Sequence, residues 1–122
     1  MTLTSLIDYA MDRPGSSQDF PFDQETMVIR VGGKIFLLTN VTRWQDGEAH
    51  VNLKCDPARA IQLHEAFSSI TPGYHMNKKH WNTVLVDEGE LSDDEIFAMV
   101  DDSYRLVADS LTKKLKTELG MV

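Results

Sequence analysis

The residues best suited to binding or catalytic chemistry cluster between Pro72 and Asn82. This segment reads Pro-Gly-Tyr-His-Met-Asn-Lys-Lys-His-Trp-Asn, so eleven residues hold two lysines, two histidines, two asparagines and two aromatic rings. Lysines beside aromatic side chains suit a nucleic-acid ligand, because ammonium groups contact phosphates and aromatic rings stack on bases. The alternative is structural: a hairpin with Tyr74, Met76 and Trp81 in the core and its lysines in water. The residue types alone favour that structural interpretation.

Nucleophilic and metal-dependent chemistry have less support. Cys55 is the only cysteine, so it cannot form an intramolecular disulfide, and a lone cysteine is typically a small buried residue. His75 and His80 are five residues apart, which is not the i, i+4 spacing of a helical zinc site. No phosphate-binding or dinucleotide-binding glycine pattern occurs. We therefore predict a protein that is not an enzyme, with no catalytic residue, no metal and no cofactor.

Positive charge concentrates in the middle of an acidic chain. The net charge is −7, made up of −4 over residues 1–25, +3 over residues 26–86 and −6 over residues 87–122. An acidic protein repels nucleic acid overall, whereas its basic middle could attract phosphates. The predicted nucleic-acid-binding residues are Arg30, Lys34, Lys54, His75, Asn77, Lys78, Lys79, His80 and Trp81.

Two extended segments flank Gly32-Gly33 and predict a two-residue β-hairpin. Its strands are Thr26–Val31 and Lys34–Asn40. The predicted core face pairs Val31 with Lys34, Ile29 with Phe36, and Met27 with Leu38. The opposite face is predicted to hold Val28, Arg30, Ile35 and Leu37.

Three more strands follow from alternating or β-rich patterns. In the third strand Ala49, Val51 and Leu53 point inward, and the outward set is Glu48, His50, Asn52 and Lys54. Two short extended segments are predicted from Tyr74 to Asn77 and from Trp81 to Val86. The polar stretch from Gly15 to Thr26 is expected to be a loop.

Three helices complete the predicted order. The first covers roughly 3–13 and ends before Pro14-Gly15. The second begins at Asp56-Pro57, an N-cap followed by proline at the first helical position. The third begins with the capping box Ser92-Asp93-Asp94-Glu95. It is expected to run towards Lys113, Lys114 and Lys116, whose charges suit a helix C-terminus.

The order α-β(3)-α-β(2)-α predicts an α+β fold with two layers: a five-stranded antiparallel sheet with helices packed on one face. The 122 residues, 42% of them hydrophobic, suit a single domain spanning residues 1–122. No signal peptide opens the chain, and the apolar run from Ile35 to Leu38 is too short to span a bilayer. We expect a cytoplasmic monomer without a membrane partner.

Motifs along nearly the whole chain resemble the MmcQ/YjbR family. The most specific are Cys55-Asp56-Pro57 and the string from Pro72 to Val84 that contains His-Met-Asn-Lys-Lys-His-Trp. The other matching motifs are Arg13-Pro14-Gly15, Phe20-Pro21-Phe22, Val31-Gly32-Gly33-Lys34-Ile35-Phe36 and Asp102-Ser103-Tyr104. The resemblance implies a two-layer fold similar to type III secretion chaperones and to the CyaY-like, double-wing fold. It also implies DNA binding.

Three binding hypotheses therefore stand. The first is a non-enzymatic protein that contacts DNA through the middle of the chain. The second is a protein- or peptide-binding adaptor that uses Val28, Ile35 and Leu37 on the second sheet face as an apolar platform. The third is a small-molecule site beneath the segment from Tyr74 to Trp81, which requires a real pocket.

Overall fold

A six-stranded antiparallel sheet with helices on one face forms the core of the protein, and the computed structural model describes residues 1–73 and 77–121. The strands lie in the order β1-β2-β3-β4-β6-β5. Their bounds are β1 Ser16–Asp19, β2 Thr26–Val31, β3 Lys34–Asn40, β4 His50–Lys54, β5 Ile70–Pro72 and β6 Trp81–Leu85. The helices are α1 Leu3–Met11, α2 Val41–Gln45, α3 Pro57–Ala66, α4 Asp93–Asp109 and α5 Lys113–Glu118. The predicted α+β class and layered layout are confirmed.

The sheet has six strands where five were predicted, because a polar edge strand shows no hydrophobic alternation. β1 lies in the stretch expected to be a loop, and it pairs with β2 from Ser16 opposite Val31 to Asp19 opposite Val28. Its side chains are largely exposed, so its sequence carries no apolar signal. The strand predicted from Tyr74 falls on residues 74–76, outside the described part of the chain. The partner of β6 at the other edge is β5.

The second and third predicted helices begin directly after the N-cap residues expected from the sequence. The Asp56 side chain accepts a hydrogen bond from the backbone N–H of Arg59, and the Ser92 capping box is complete with Glu95. The predicted end of the last helix is wrong: α4 ends at Asp109, and the three lysines lie in the separate helix α5. A second cap causes this break, because the Thr112 side chain accepts a hydrogen bond from the Leu115 N–H. None of the described helices combines the length and the apolar character needed to cross a membrane.

A β-bulge in β3 changes the predicted hairpin register. Val31 lies opposite Lys34 as predicted, but Ile29 faces Leu37 rather than Phe36, and Met27 faces Thr39 rather than Leu38. The ladder shifts between Ile29 and Arg30, so Phe36 is an extra residue in β3.

The bulge also changes which residues face the helices. Phe36 and Leu37 are both fully buried in the main core, although simple alternation places them on opposite faces. Ile35 and Leu38 are left partly exposed on the opposite face. The predicted apolar platform is therefore wrong at Leu37, which belongs to the core, whereas Val28 pairs with Leu38 on the predicted face but is fully buried.

Helix α4 is fixed across the bulge by one buried serine. The Ser103 hydroxyl donates to the Phe36 carbonyl at 2.5 Å and accepts from the Lys54 backbone N–H at 2.8 Å. Tyr104 adds an edge-to-face contact with the Phe36 ring, with centroids 5.3 Å apart. These contacts give the Asp102-Ser103-Tyr104 motif a structural role.

Candidate functional site

The face of the sheet opposite the helices carries a groove of about 450 Å³, here called the open-face groove. Four strands and three flanking segments line it: Phe22, Thr26, Ile35, Leu38, Asn40, Arg43, His50, Asn52, Asn77, Trp81 and Thr83. Its volume lies in the range of small-molecule sites, and its wall combines four apolar or aromatic side chains with seven polar ones.

The alternation of side chains along β4 and β6 determines which residues form the floor of the groove. In β4, His50 and Asn52 line the groove while Val51 belongs to the core. In β6, Thr83 lines the groove while Val84 belongs to the core. The outward set predicted for the third strand thus contains two groove residues.

Asn52 lies at the centre of the floor in a fixed orientation. Its Oδ1 accepts a hydrogen bond from the Thr83 hydroxyl at 2.6 Å, and its Nδ2 donates to the Leu38 carbonyl at 3.1 Å. The two bonds distinguish the oxygen from the nitrogen of the amide. Only 6% of the Asn52 surface is exposed, so this polar side chain is held rather than mobile.

Asn40 and Arg43 form one end of the groove, here called the guanidinium end. The Asn40 side chain caps α2, where its Oδ1 accepts from the backbone N–H groups of Thr42 at 3.0 Å and Arg43 at 3.2 Å. The Arg43 Nε donates to a Glu48 carboxylate oxygen at 3.1 Å. That ion pair aligns the guanidinium and leaves its two terminal nitrogens for other partners.

His50 lies beside this end and is held as a neutral ring. Its Nδ1 is 3.2 Å from the Glu48 carbonyl oxygen, and the Asn40 backbone N–H approaches its Nε2 at 3.5 Å. One ring nitrogen therefore donates and the other accepts, which is the pattern of an uncharged imidazole. Burial lowers the pKa of His50, and the neighbouring Arg43 charge lowers it further.

Asn77 and Trp81 form the opposite end, here called the indole end. Asn77 organises the turn before β6: its Oδ1 accepts from the Lys79 backbone N–H at 3.1 Å, and its carbonyl accepts from His80 and Trp81. Trp81 is half-buried and pairs with Lys54 across the sheet. Directly paired residues project from the same face, so Lys54 stands beside the indole.

The predicted nucleic-acid-binding residues are divided among several places. Asn77 and Trp81 line the open-face groove, with Lys54 next to it. Lys78 and Lys79 border a separate cavity of about 390 Å³ against helix α3. His75 falls outside the described residues.

Two of the remaining predicted cations, Arg30 and Lys34, are engaged within the fold. Arg30 pairs with Asp19 at 3.1 Å and donates to the Gly33 carbonyl. Lys34 donates to the Ser110 hydroxyl at 3.3 Å, which directs it towards the end of α4. His80 is partly buried, and its backbone N–H donates to the Asn77 carbonyl. The eight predicted residues that the structure describes do not form one continuous basic surface.

Sequence reasoning missed Asn40, Arg43 and Thr83 as site residues, and it named Asn52 only as outward-facing. The available signal was the run of polar side chains on the outward face of β4. A polar row on a sheet face indicates a solvated or ligand-binding surface. The sequence does not reveal that Asn40 and Arg43 lie beside that row, because strand pairing places Asn40 there and the short helix α2 places Arg43 there.

Sequence comparisons place the chain among a group of bacterial proteins. The YjbR family model matches residues 11–106. The chain is 40% identical over 105 residues to the uncharacterized protein YbdF of Escherichia coli O157:H7, covering 86% of this chain and 83% of that protein. It is 32% identical over 114 residues to the uncharacterized protein YjbR of Escherichia coli K12, covering 93% of each.

Solved structures agree with the fold. Deinococcus radiodurans protein DR2400, with a DUF419 domain, superposes with a TM-score of 0.89 at 38% identity, covering 99% of this chain and 89% of that one. A Pseudomonas syringae protein superposes with a TM-score of 0.71 at 27% identity, covering 88% of this chain and 99% of that one. The layout described above is thus shared with an experimental structure of a relative.

Proposed function

The chain belongs to the YjbR family, and we propose that it is a non-enzymatic binding protein whose open-face groove takes a small organic ligand. The observation that carries this proposal is the fixed polar floor beneath a cavity of about 450 Å³. The Asn52 amide is locked by two hydrogen bonds, while Ile35 and Leu38 supply apolar surface from the neighbouring strand β3. Small-molecule sites combine these features: apolar walls and a few preoriented polar groups.

The titratable groups at or near the groove support binding rather than catalysis. Both ring nitrogens of His50 face atoms of the fold, which leaves neither nitrogen to exchange a proton with a ligand. Burial raises the pKa of the Cys55 thiol, which opposes formation of a nucleophilic thiolate. Both observations favour the prediction of a non-enzymatic protein.

A groove-filling variant tests the proposal. Leu38→Trp places a large ring over the floor, whereas Leu106→Trp puts the same ring at an exposed leucine of α4. Saturation-transfer NMR with a library of small aromatic compounds is expected to detect ligands that bind wild type and Leu106→Trp but not Leu38→Trp. Equal binding to all three proteins, or no binding to wild type, would contradict a ligand site in the groove.

Nucleic acid is a second candidate ligand, favoured by one specific observation. Lys78 and Lys79 are exposed, and within residues 1–73 and 77–121 neither forms an ion pair. Lys54 lies next to Trp81 at the indole end of the groove. A single strand of nucleic acid that crosses this end would contact phosphate-binding lysines and a stacking indole together. The net charge of −7 and the dispersal of the other cations rank this candidate below the small-molecule ligand.

The protein- or peptide-binding hypothesis stays a prediction, and a partner would have to contact Ile35 and Leu38 in place of the expected platform. The cytoplasmic location and monomeric state also stay predictions.

A further inference from the structure

The three asparagines of the open-face groove all have their carbonyl oxygens engaged by the fold. Oδ1 of Asn40 accepts from two backbone N–H groups of α2, Oδ1 of Asn52 accepts from Thr83, and Oδ1 of Asn77 accepts from Lys79. In all three side chains, which come from separate parts of the fold, the amide oxygen is the atom that accepts a hydrogen bond from the protein. Each amide nitrogen keeps at least one N–H for a partner outside the fold.

The amide nitrogens have hydrogens to donate. Asn52 Nδ2 uses one N–H on the Leu38 carbonyl and keeps the second. For Asn40 and Asn77, no hydrogen bond from Nδ2 occurs within the described residues. The floor and both ends of the groove thus present N–H groups.

Two further side chains add donors of the same kind. The Trp81 indole N–H has no hydrogen-bond partner in the part of the chain that the structure describes, and indole can only donate. Arg43 has its Nε on Glu48, and its terminal nitrogens carry N–H groups without an acceptor among the described residues. The principal side-chain acceptor of the floor, Asn52 Oδ1, is already engaged by Thr83.

A groove rich in donors selects a ligand rich in acceptors. Arginine and amide N–H groups bind carboxylate and phosphate oxygens best, because hydrogen bonds to a charged acceptor are shorter and about twice as strong as neutral ones. A cationic ligand would meet the Arg43 charge and find few acceptors. The chemistry of the lining therefore favours oxyanions over amines.

The two ends of the groove differ, which orients such a ligand. Asn40 and Arg43 stand at the guanidinium end, where β3 finishes, and Ile35 and Trp81 stand at the indole end, where β3 and β6 begin. Because of the bulge, Ile35 and Asn40 lie opposite Arg30 and Thr26 of β2, which are four residues apart, and this corresponds to about 13 Å. Leu38 lies between the ends and supplies the apolar contact for a hydrophobic body.

Building on the proposed function, we infer that the ligand is an amphipathic organic oxyanion. Its carboxylate or phosphate group binds Arg43 and Asn40 at the guanidinium end. Its aromatic or aliphatic body lies over Leu38 and Ile35 towards Trp81, with Asn52 donating from below. The shared chemistry of the head group is a set of acceptor oxygens bearing negative charge.

The test uses three probes with one naphthalene body and different head groups: naphthylacetate, naphthyl phosphate and naphthylmethylamine. Affinities are measured by protein-observed NMR titration on wild type, Arg43→Gln and Arg105→Gln. Arg105 is a matched control, because it is an exposed arginine with a carboxylate neighbour, Asp102, at 3.7 Å. Wild type is expected to bind the better anion at least about tenfold more tightly than the amine, and Arg43→Gln alone is expected to lose about tenfold.

The outcomes separate the inference from the proposed function. Preference for the acetate assigns a carboxylate ligand, and preference for the phosphate assigns a phosphate ester. Equal binding of all three probes in the groove would overturn the oxyanion inference and leave the groove as a binding site. Failure of every probe to shift groove residues would overturn both.

Discussion

The Thr83 hydroxyl donates to the Asn52 side-chain oxygen at 2.6 Å, joining β4 to β6 across the floor of the groove. The bond does more than satisfy a nearly buried amide: it holds the oxygen on the β6 side, so that the nitrogen lies towards β3, where one N–H donates to the Leu38 carbonyl and the second remains. Donor chemistry at the centre of the groove therefore depends on a hydroxyl supplied by the neighbouring strand.

Thr83→Val is expected to weaken ligand binding because it frees the Asn52 amide to rotate. The substitution removes the Thr83 hydroxyl and leaves the nearly buried Asn52 Oδ1 without this donor. The free energy of unfolding is therefore expected to fall by about 1–2 kcal/mol. Thr83→Ser keeps the hydroxyl and is the matched control. The two variants are compared by urea denaturation and by titration with the probe. Equal affinities of Thr83→Val and Thr83→Ser for the probe would show that the hydroxyl does not orient the amide.

Ser103→Ala is expected to destabilise the protein strongly without changing the groove. The substitution leaves two backbone groups, the Phe36 carbonyl and the Lys54 N–H, without the hydroxyl that links them to α4. A loss of about 2–3 kcal/mol is expected in chemical denaturation. Ser110→Ala removes a hydroxyl from the exposed end of α4 and serves as control, with a loss below about 1 kcal/mol. Similar losses in the two variants would contradict the role given to Ser103.

Stability is expected to fall when the pH decreases through the ordinary range of histidine. The folded-state pKa of His50 is depressed, so the unfolded chain binds a proton more readily than the folded one. Under that condition the free energy of unfolding rises with pH, and it declines as the pH drops below about 6.5. Thermal unfolding from pH 8 to pH 5 measures this slope. In His50→Gln the slope is expected to be shallower, and an unchanged slope would remove His50 as its source.

The nucleic-acid candidate makes its own prediction through Lys78 and Lys79. If both contact phosphates, the change of both to alanine removes about two released counterions, so the salt dependence flattens by nearly two units. Lys113 and Lys114, two exposed lysines of α5, are the matched control pair. Fluorescence anisotropy with single- and double-stranded oligonucleotides at several salt concentrations measures the slope. Absence of wild-type binding at low salt, or equal slopes in the two double mutants, would reject this candidate.

Local signals in the sequence predict much of the fold. The Gly32-Gly33 hairpin, the Asp56 cap and the Ser92 capping box each depend on residues close in sequence, and each occurs as predicted. The motif resemblance correctly identified the family.

The misplaced features depend on contacts between distant residues. The bulge at Phe36 is stabilised from α4 by Ser103, which lies 67 positions away in the chain. The edge strand β1 is defined by its pairing with β2 rather than by its own polar sequence. Similarly, Asn40 and Asn52 come from the neighbouring strands β3 and β4, so the groove could not be derived from the motif between Pro72 and Asn82 alone.

The central claim is that a ligand occupies the open-face groove and accepts hydrogen bonds from its asparagines. The most direct measurement is the ¹H–¹⁵N NMR signal of the side-chain NH₂ groups during titration with naphthylacetate. Asn82 is the internal control, because it follows Trp81 in β6 but belongs to the other face of the sheet, where its Oδ1 lies 2.7 Å from His64 Nε2. The Asn52 and Asn40 signals are expected to move downfield with one shared affinity, while the Asn82 signal stays in place. A titration that moves Asn82 and leaves Asn52 unchanged would contradict the claim.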